Sequence, residues 1–325
     1  MKRIIDATEK DRNAIFTTAA AQTHIPVEMI EKDFWVCWTL QKVFGNPELA
    51  KMLRFKGGTS LSKAFHLIQR FSEDLDLILD WRCVTADNPL AARSNSKQDA
   101  FNKSVQEISG EYVTRTLCRK IAAAMGPECG VVPDPRDSHV LLVKYPESFT
   151  KNYITPNVRL EIGPLAAWVP NENFPVRSYV ADAFPELDMK PFPVPTILAE
   201  RTFWEKVTIL HQEHYRPEHL IVPLRYSRHY YDLFMMSKSA FSQTALKRKD
   251  LLTAVVEFKK KFYPRGWARY DLAVPGMVQL LPAEHSMKPL KDDYRAMRTM
   301  IFGDYPAWDE ICDALSALEH EINHQ

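Results

Sequence analysis

The chain has 325 residues, 46% of them hydrophobic, with 42 Lys and Arg against 41 Asp and Glu. That length holds one large domain or two ordinary ones, and the balanced charge excludes a global field, so any attraction for nucleic acid must come from local patches. Five scattered cysteines without a C-x-x-C pair exclude a disulfide framework or a zinc site and suit a reducing cytoplasm.

In chain order, residues 1–16, MKRIIDATEKDRNAIF, lack the continuous apolar core of a signal peptide. No run approaches the ~20 apolar residues needed to cross a bilayer, so a cytoplasmic protein without membrane attachment is expected. Residues 7–24 read as a helix. So do residues 26–44, where Ile30, Phe34, Trp38, Leu40 and Val43 recur at near-helical spacing. Leu53 to Lys56 is a strand candidate. Gly57-Gly58 breaks it, and Thr59 is placed to cap a helix from Ser60 to about Gln69. Leu75 to Leu79 reads as a second strand, 84–98 as a loop, 99–125 as helical and 127–138 as a loop. Strands follow near 139–144 and 156–162. Residues 185–197 carry four of the chain's 22 prolines and read as a domain boundary. Beyond it the pattern is mostly helical, over 196–212, 225–238, 243–263 and 306–322. The expected fold class is α+β: a mixed sheet with flanking helices over residues 1–195, then a mainly helical C-terminal domain over 196–325.

Two acids interrupt the apolar second strand. Residues i and i+2 of a strand share a face, so Asp74 and Asp76 project together. Two adjacent carboxylates repel, and one resists ionisation unless a cation lies between them. Hard oxygen ligands suit Mg²⁺, which takes one or two carboxylates and completes its shell with water and phosphate oxygens. Glu161, between Leu160 and Ile162 in a later strand, could supply a third carboxylate. The bland alternative is a pair of solvated strand-end acids. The glycine turn sharpens the metal reading, because a strand, Gly-Gly and a hydroxyl-rich helix start form a phosphate cradle. Neither the Walker A pattern nor G-x-G-x-x-G is present. A phosphate turn beside a metal-binding pair is equipment for moving a nucleotide from its triphosphate.

The ordered segments KGGTSLSK…RFSEDLDL, EKDFWVCWTL from Glu31, RTFWEKVTILH from Arg201, SRHYYDL from Ser227 and LKDDYRAMRTMIFGDYPAWDEI near the C-terminus carry a resemblance. Together they resemble the AbiEii/AbiGii-type nucleotidyltransferase toxins of bacterial toxin–antitoxin and abortive-infection systems, within the DNA polymerase β-like superfamily. The resemblance implies a polymerase β-like core and a nucleotidyltransferase activity that uses an NTP with Mg²⁺, or with Mn²⁺ in its place. It assigns the nucleotide-binding turn to Gly57, Gly58, Thr59 and Ser60, with Thr59 or Ser60 doing the work of the serine more usual there. It assigns metal binding to Asp74 and Asp76, with Glu161 as the superfamily's third carboxylate. The third-motif lysine falls on Lys206, with Arg201 as the alternative register, and the fourth-motif aspartate on Asp232. Asp232 would orient Lys206 or activate the acceptor hydroxyl. The implied partners are an NTP, a cognate antitoxin protein and tRNA, whose 3′ end is the expected acceptor. The rival readings are transfer to a small molecule or a protein, and a nucleotide-binding module without catalysis.

Other signals weigh less. His211 and His214 form H-x-x-H at a helix end and read as solvated histidines. Ser72, two residues before Asp74, reads as a strand-entry serine. Lys259, Lys260, Lys261, Arg265 and Arg269, interleaved with Phe262, Tyr263 and Trp267, suit an RNA backbone and its bases.

Overall fold

The computed structural model describes residues 1–149, 155–166 and 168–324. It divides into two compact units, residues 1–65 with 71–197, and residues 66–70 with 198–325.

The first unit begins with helices α1 (Lys2–Ile5), α2 (Glu9–Thr23), α3 (Val27–Gly45) and α4 (Pro47–Met52). Thr8 caps α2 by accepting from the Asp11 amide, and Asn46 caps α4. Helix α3 is buried almost all round, which suits a central helix rather than a surface one. Its Glu31, Lys32 and Asp33 are only 1%, 1% and 4% exposed, and each holds a different segment. Glu31 accepts from the amides of Ser148 and Phe149 at 2.9 and 3.0 Å. Lys32 donates to the Thr155 and Asn157 carbonyls and pairs with Glu73 at 3.1 Å. Asp33 accepts from the Tyr179 amide and pairs with Lys63 at 2.5 Å. A buried charge is tolerated when it is paired and hydrogen-bonded in this way. Thus the EKD triplet fastens α3 to the segments that carry the acids.

Next come β1 (Leu53–Lys56), α5 (Gly57–Lys63), β2 (Leu75–Leu79), α6 (Asn95–Glu111), α7 (Cys118–Met125), β3 (Gly130–Asp134), β4 (Asp137–Lys144), β5 (Asn157–Gly163), β6 (Asn171–Val176), α8 (Tyr179–Ala183) and β7 (Phe192–Ile197). The seven strands form one mixed sheet in the order β3-β4-β5-β2-β1-β7-β6. β2 runs parallel to β5 and β1 parallel to β7, while the other neighbours are antiparallel.

Three expectations change here. The helix after the glycine turn starts at Gly57 and ends at Lys63, so Thr59 lies inside it and Lys56 takes the N-cap place. The loop expected over 127–138 contains β3, and the proline-rich 185–197 contains β7. Pro193 and Pro195 stand two residues apart, so they remove backbone donors along one edge of β7 and leave Val194 and Thr196 to donate on the other. Proline therefore did not prevent a strand here.

The second unit contains α9 (Ala199–His214), α10 (Arg228–Lys238), α11 (Phe241–Leu246), α12 (Lys249–Phe262), α13 (Glu284–Ala296) and α14 (Trp308–His324). Trp204, Tyr230, Tyr231, Ile311 and Leu315 belong to its core. Asp293 of α13 fixes the entry to α10, accepting from the amides of Arg225 and Ser227 and from the Ser227 hydroxyl. The strap His66–Arg70, which links α5 to β2 in sequence, belongs to this unit: Arg70 bridges Ile301, and the Phe302 amide donates to the Gln69 carbonyl.

Candidate active site

In the first unit the glycine turn and the D-x-D pair meet. Gly57 has φ +81°, and a Cβ placed on it would come within 1.9 Å of Asp76 Oδ2. Glycine is required there both by the left-handed backbone and by the approach of the carboxylate. The Thr59 hydroxyl donates to the Asp74 carbonyl at 2.5 Å and lies 2.9 Å from Ser72 Oγ. Ser60 Oγ donates to the Gly57 carbonyl at 2.7 Å. Both hydroxyls are buried; Thr59 braces the turn against the acidic strand, and Ser60 closes the turn on itself. Ser72 is thus part of the brace rather than a bare strand-entry residue.

The sheet register places the acids. Asp76 lies opposite Lys56 of β1 and opposite Glu161 of β5. Residues in register on neighbouring strands share a face, so Asp76 and Glu161 face the same way. Arg159, two residues before Glu161, joins them. Its guanidinium reaches Asp134 at 2.8 Å, Glu161 at 3.3 Å and Asp74 at 3.8 Å. The alternation of NVRLEIG could have revealed it, since Arg159 and Glu161 must share a face. Burial raises the Asp74 carboxyl above its ordinary range; Glu73 and Asp76 push the same way and Arg159 opposes them. A carboxylate whose ionisation is opposed by its acidic neighbours is one that a divalent cation would relieve.

No three acidic, imidazole or thiol groups converge as a metal cage among the described residues. The donor set nonetheless fits a hard cation: Asp74 and Asp76 offer two carboxylates, and Mg²⁺ characteristically takes its remaining ligands from water and substrate phosphates. Glu161 is in register with Asp76 but is engaged by Arg159.

The second unit carries a different cluster. Asp232 of α10 is 0% exposed. Its Oδ1 accepts from Arg70 Nε at 2.6 Å, and its Oδ2 accepts from Arg70 Nη2 at 2.8 Å and from Lys206 Nζ at 2.7 Å. Burial alone would raise this carboxyl; Arg70 and Lys206 outweigh it and hold the group well below the usual carboxylate range. Lys206 of α9 donates a second bond to His229 Nδ1 at 3.0 Å. Burial lowers the Lys206 ammonium and leaves His229, beside Lys206 and Arg228, well below the usual imidazole range. Arg201 stands apart from this cluster. It is buried too, but its ion pair is with Glu205, at 3.4 Å. His229 was detectable as the residue one helical turn before Asp232. Arg70 carried no such signal, because only the tertiary fold brings it to α10.

Two surface readings also change. His211 is fully buried, with Nε2 donating to the Arg269 carbonyl and Nδ1 accepting from the Gln279 amide. It is therefore not a solvated histidine, and neither ring nitrogen is open to a metal. His214 Nδ1 donates to the Leu281 carbonyl. In the basic–aromatic segment, Phe262 is core, Lys260 pairs with Glu257 and Arg269 with Asp271. The guanidinium groups of Arg216 and Arg265 lie 5.1 and 5.7 Å from the Trp267 ring centre, and Arg216 is itself paired with Glu213.

The first unit thus sets a glycine turn against paired aspartates, and the second holds a buried lysine–aspartate pair. The chain belongs to the AbiEii nucleotidyl transferase toxin family of type IV toxin–antitoxin systems, whose sequence model matches residues 38–315. It is a nucleotidyltransferase, with an NTP as substrate and a cognate antitoxin as partner. No curated protein matches the chain. Among solved structures it is similar to MenT4, a nucleotidyltransferase toxin from Mycobacterium tuberculosis, at 16% identity and a TM-score of 0.47, covering 95% of this chain and 96% of that one. It is also similar to JHP933 from Helicobacter pylori, at 14% identity and a TM-score of 0.45, covering 92% and 93%. Among the described residues no helix is long and apolar enough to cross a membrane.

Proposed function

We propose that the chain is a cytoplasmic, Mg²⁺-dependent nucleotidyltransferase that transfers a nucleoside monophosphate from an NTP to the 3′ end of tRNA. The observation that carries the reading is the close seating of Asp76 on Gly57, which joins a phosphate-type turn to a metal-type carboxylate pair. Asp74 and Asp76 would hold the metal, with Glu161 as a third ligand once Arg159 releases it. The metal would neutralise developing phosphate charge and orient the triphosphate. Backbone amides of Gly57 to Ser60 grip phosphate oxygens, while Thr59 and Ser60 hold the turn's shape. Lys206 supplies a positive charge to the triphosphate. Asp232 orients Lys206. A carboxylate already accepting three charged hydrogen bonds, and held well below its ordinary range, makes a poor base for an acceptor hydroxyl. In the reaction the acceptor oxygen bonds to the α-phosphorus, the bond from that phosphorus to the pyrophosphate oxygen breaks, and the hydroxyl proton passes to solvent.

RNA as acceptor is supported by the cations of the second unit, Arg225, Arg228, Arg265 and Lys259, and by Trp267 beside Arg265. The test is incubation with each α-labelled NTP, Mg²⁺ and total RNA. Label on tRNA supports the reading. Label on protein or on a small molecule replaces the acceptor, and no transfer to any fraction overturns it.

A further inference from the structure

The cluster around Asp232 holds more positive charge than a structural ion pair needs. Arg70 engages both Asp232 oxygens in a fork, while Lys206 shares one of them. The Lys206 ammonium therefore faces one carboxylate and, besides it, the cations Arg70 and Arg228. An ammonium only donates, so His229 must accept through its Nδ1 lone pair and carry its proton on Nε2. His229 thus spends one Lys206 N–H without cancelling its charge. Its two hydrogen bonds, to Asp232 and His229, leave Lys206 a third N–H. Burying an ammonium is costly unless its charge is matched, yet this nearly buried lysine shares a carboxylate already claimed by a stronger, bidentate partner.

The geometry points to Arg70 as a positioning residue that occupies Asp232 so that Lys206 keeps an uncancelled charge and its third N–H for an anionic phosphate of the nucleotide. Without Arg70, both Asp232 oxygens would turn to Lys206, which would become half of an internal ion pair. In this arrangement Asp232 sets direction, His229 holds the ammonium upright as a neutral acceptor, and Arg70 prevents neutralisation. The inference rests on the nucleotidyltransferase reading and deepens it: Arg70 touches no substrate, and its effect passes through Asp232 to Lys206.

The test is nucleotide affinity, measured by calorimetry on the full chain with ATP, GTP, CTP and UTP in turn, in MgCl₂ and without RNA. Arg70→Met should weaken binding of the preferred NTP at least tenfold. Adding Asp232→Asn to Arg70→Met should recover several-fold of that loss, because the neutral amide no longer cancels Lys206. A merely structural role for Arg70 predicts instead that losses of affinity follow losses of melting temperature in every variant. Arg70→Lys, which keeps a charge but not the fork, should fall between wild type and Arg70→Met, and it serves if the methionine variant does not fold. Folding is checked by circular dichroism and thermal melting. Unchanged affinity in a folded Arg70→Met or Arg70→Lys protein, or a double variant no better than Arg70→Met, overturns this inference alone. Wild-type protein that binds none of the four nucleotides overturns both it and the proposed function.

Discussion

Acids in the two units meet opposite fates. Asp232 and Glu31 are equally hidden from water, at 0% and 1% exposure. Asp232 has two cations at hydrogen-bond distance and is held far into the ionised range. Glu31 accepts from the amides of Ser148 and Phe149 and has no cation at hydrogen-bond distance among the described residues, and burial pushes its carboxyl up to about 7 despite those amides and the more distant Arg12. Asp74 lies between: partly exposed, raised by burial and acidic neighbours, and relieved in part by Arg159 at 3.8 Å and more weakly by Lys32. Burial alone therefore does not say what an acid does; the charge of its partners does. Asp232 is saturated and acts as a fixture. Asp74 is short of positive charge, which is the condition for recruiting a cation.

The sharpest break in that contrast is at the acids short of cations. Asp74→Ala or Asp76→Ala should reduce transfer by at least ~10²-fold, the scale of one preorganised electrostatic contact. Neither side chain is a core element, so the melting temperature should stay near wild type. Variants that keep full activity with unchanged Mg²⁺ dependence would remove the metal assignment.

Glu31 tests the scaffold. Its folded-state value lies above the unfolded one, 4.5 rising to about 7, so the native state holds the extra proton between those limits. Its contribution to stability is full below about pH 4.5 and is lost as pH rises towards 7, by up to about 3 kcal/mol. Thermal melts across this range should show wild type losing stability relative to Glu31→Gln. Parallel curves for the two proteins would mean that Glu31 is ionised throughout.

Within the second unit, Lys206→Ala should lower kcat/KM about tenfold or more, the worth of a charge-assisted hydrogen bond. Arg201→Ala should cost less, because Arg201 pairs with Glu205 and not with Asp232. A larger loss at Arg201 would move the third-motif cation to that position.

The smallest effects belong to the acceptor surface. Replacing Lys259, Lys260 and Lys261 together by Ala, or Arg228 alone, should weaken tRNA modification and lower its salt slope by roughly one unit per phosphate contact removed. NTP affinity is the control for the lysine triple. Normal modification of tRNA by both variants at every salt concentration would place the acceptor elsewhere.

Local pattern and tertiary contact contributed differently to what the sequence revealed. The β1–turn–α5–β2 segment was legible because glycine, hydroxyl and alternating acid positions each carry a backbone or charge constraint. The long amphipathic helices were legible from their period. Glu161 was legible as an acid among apolar strand residues, and Arg159 could have been found by the same alternation. β7 was not read as a strand, because its prolines read as breaks when only the neighbouring residues are known. The burial of His211 and the Arg70–Asp232 fork depend on residues 58 and 162 positions apart. No local pattern reports such a pairing.

The central claim is that Asp74 and Asp76 support transfer of a nucleotide, and the most direct test compares α-labelled with γ-labelled NTP on wild type and Asp76→Ala. Wild type should place the α label on tRNA and release the γ label as pyrophosphate, and Asp76→Ala should do neither. Transfer of the γ label to the acceptor, or equal α labelling by the two proteins, would contradict it.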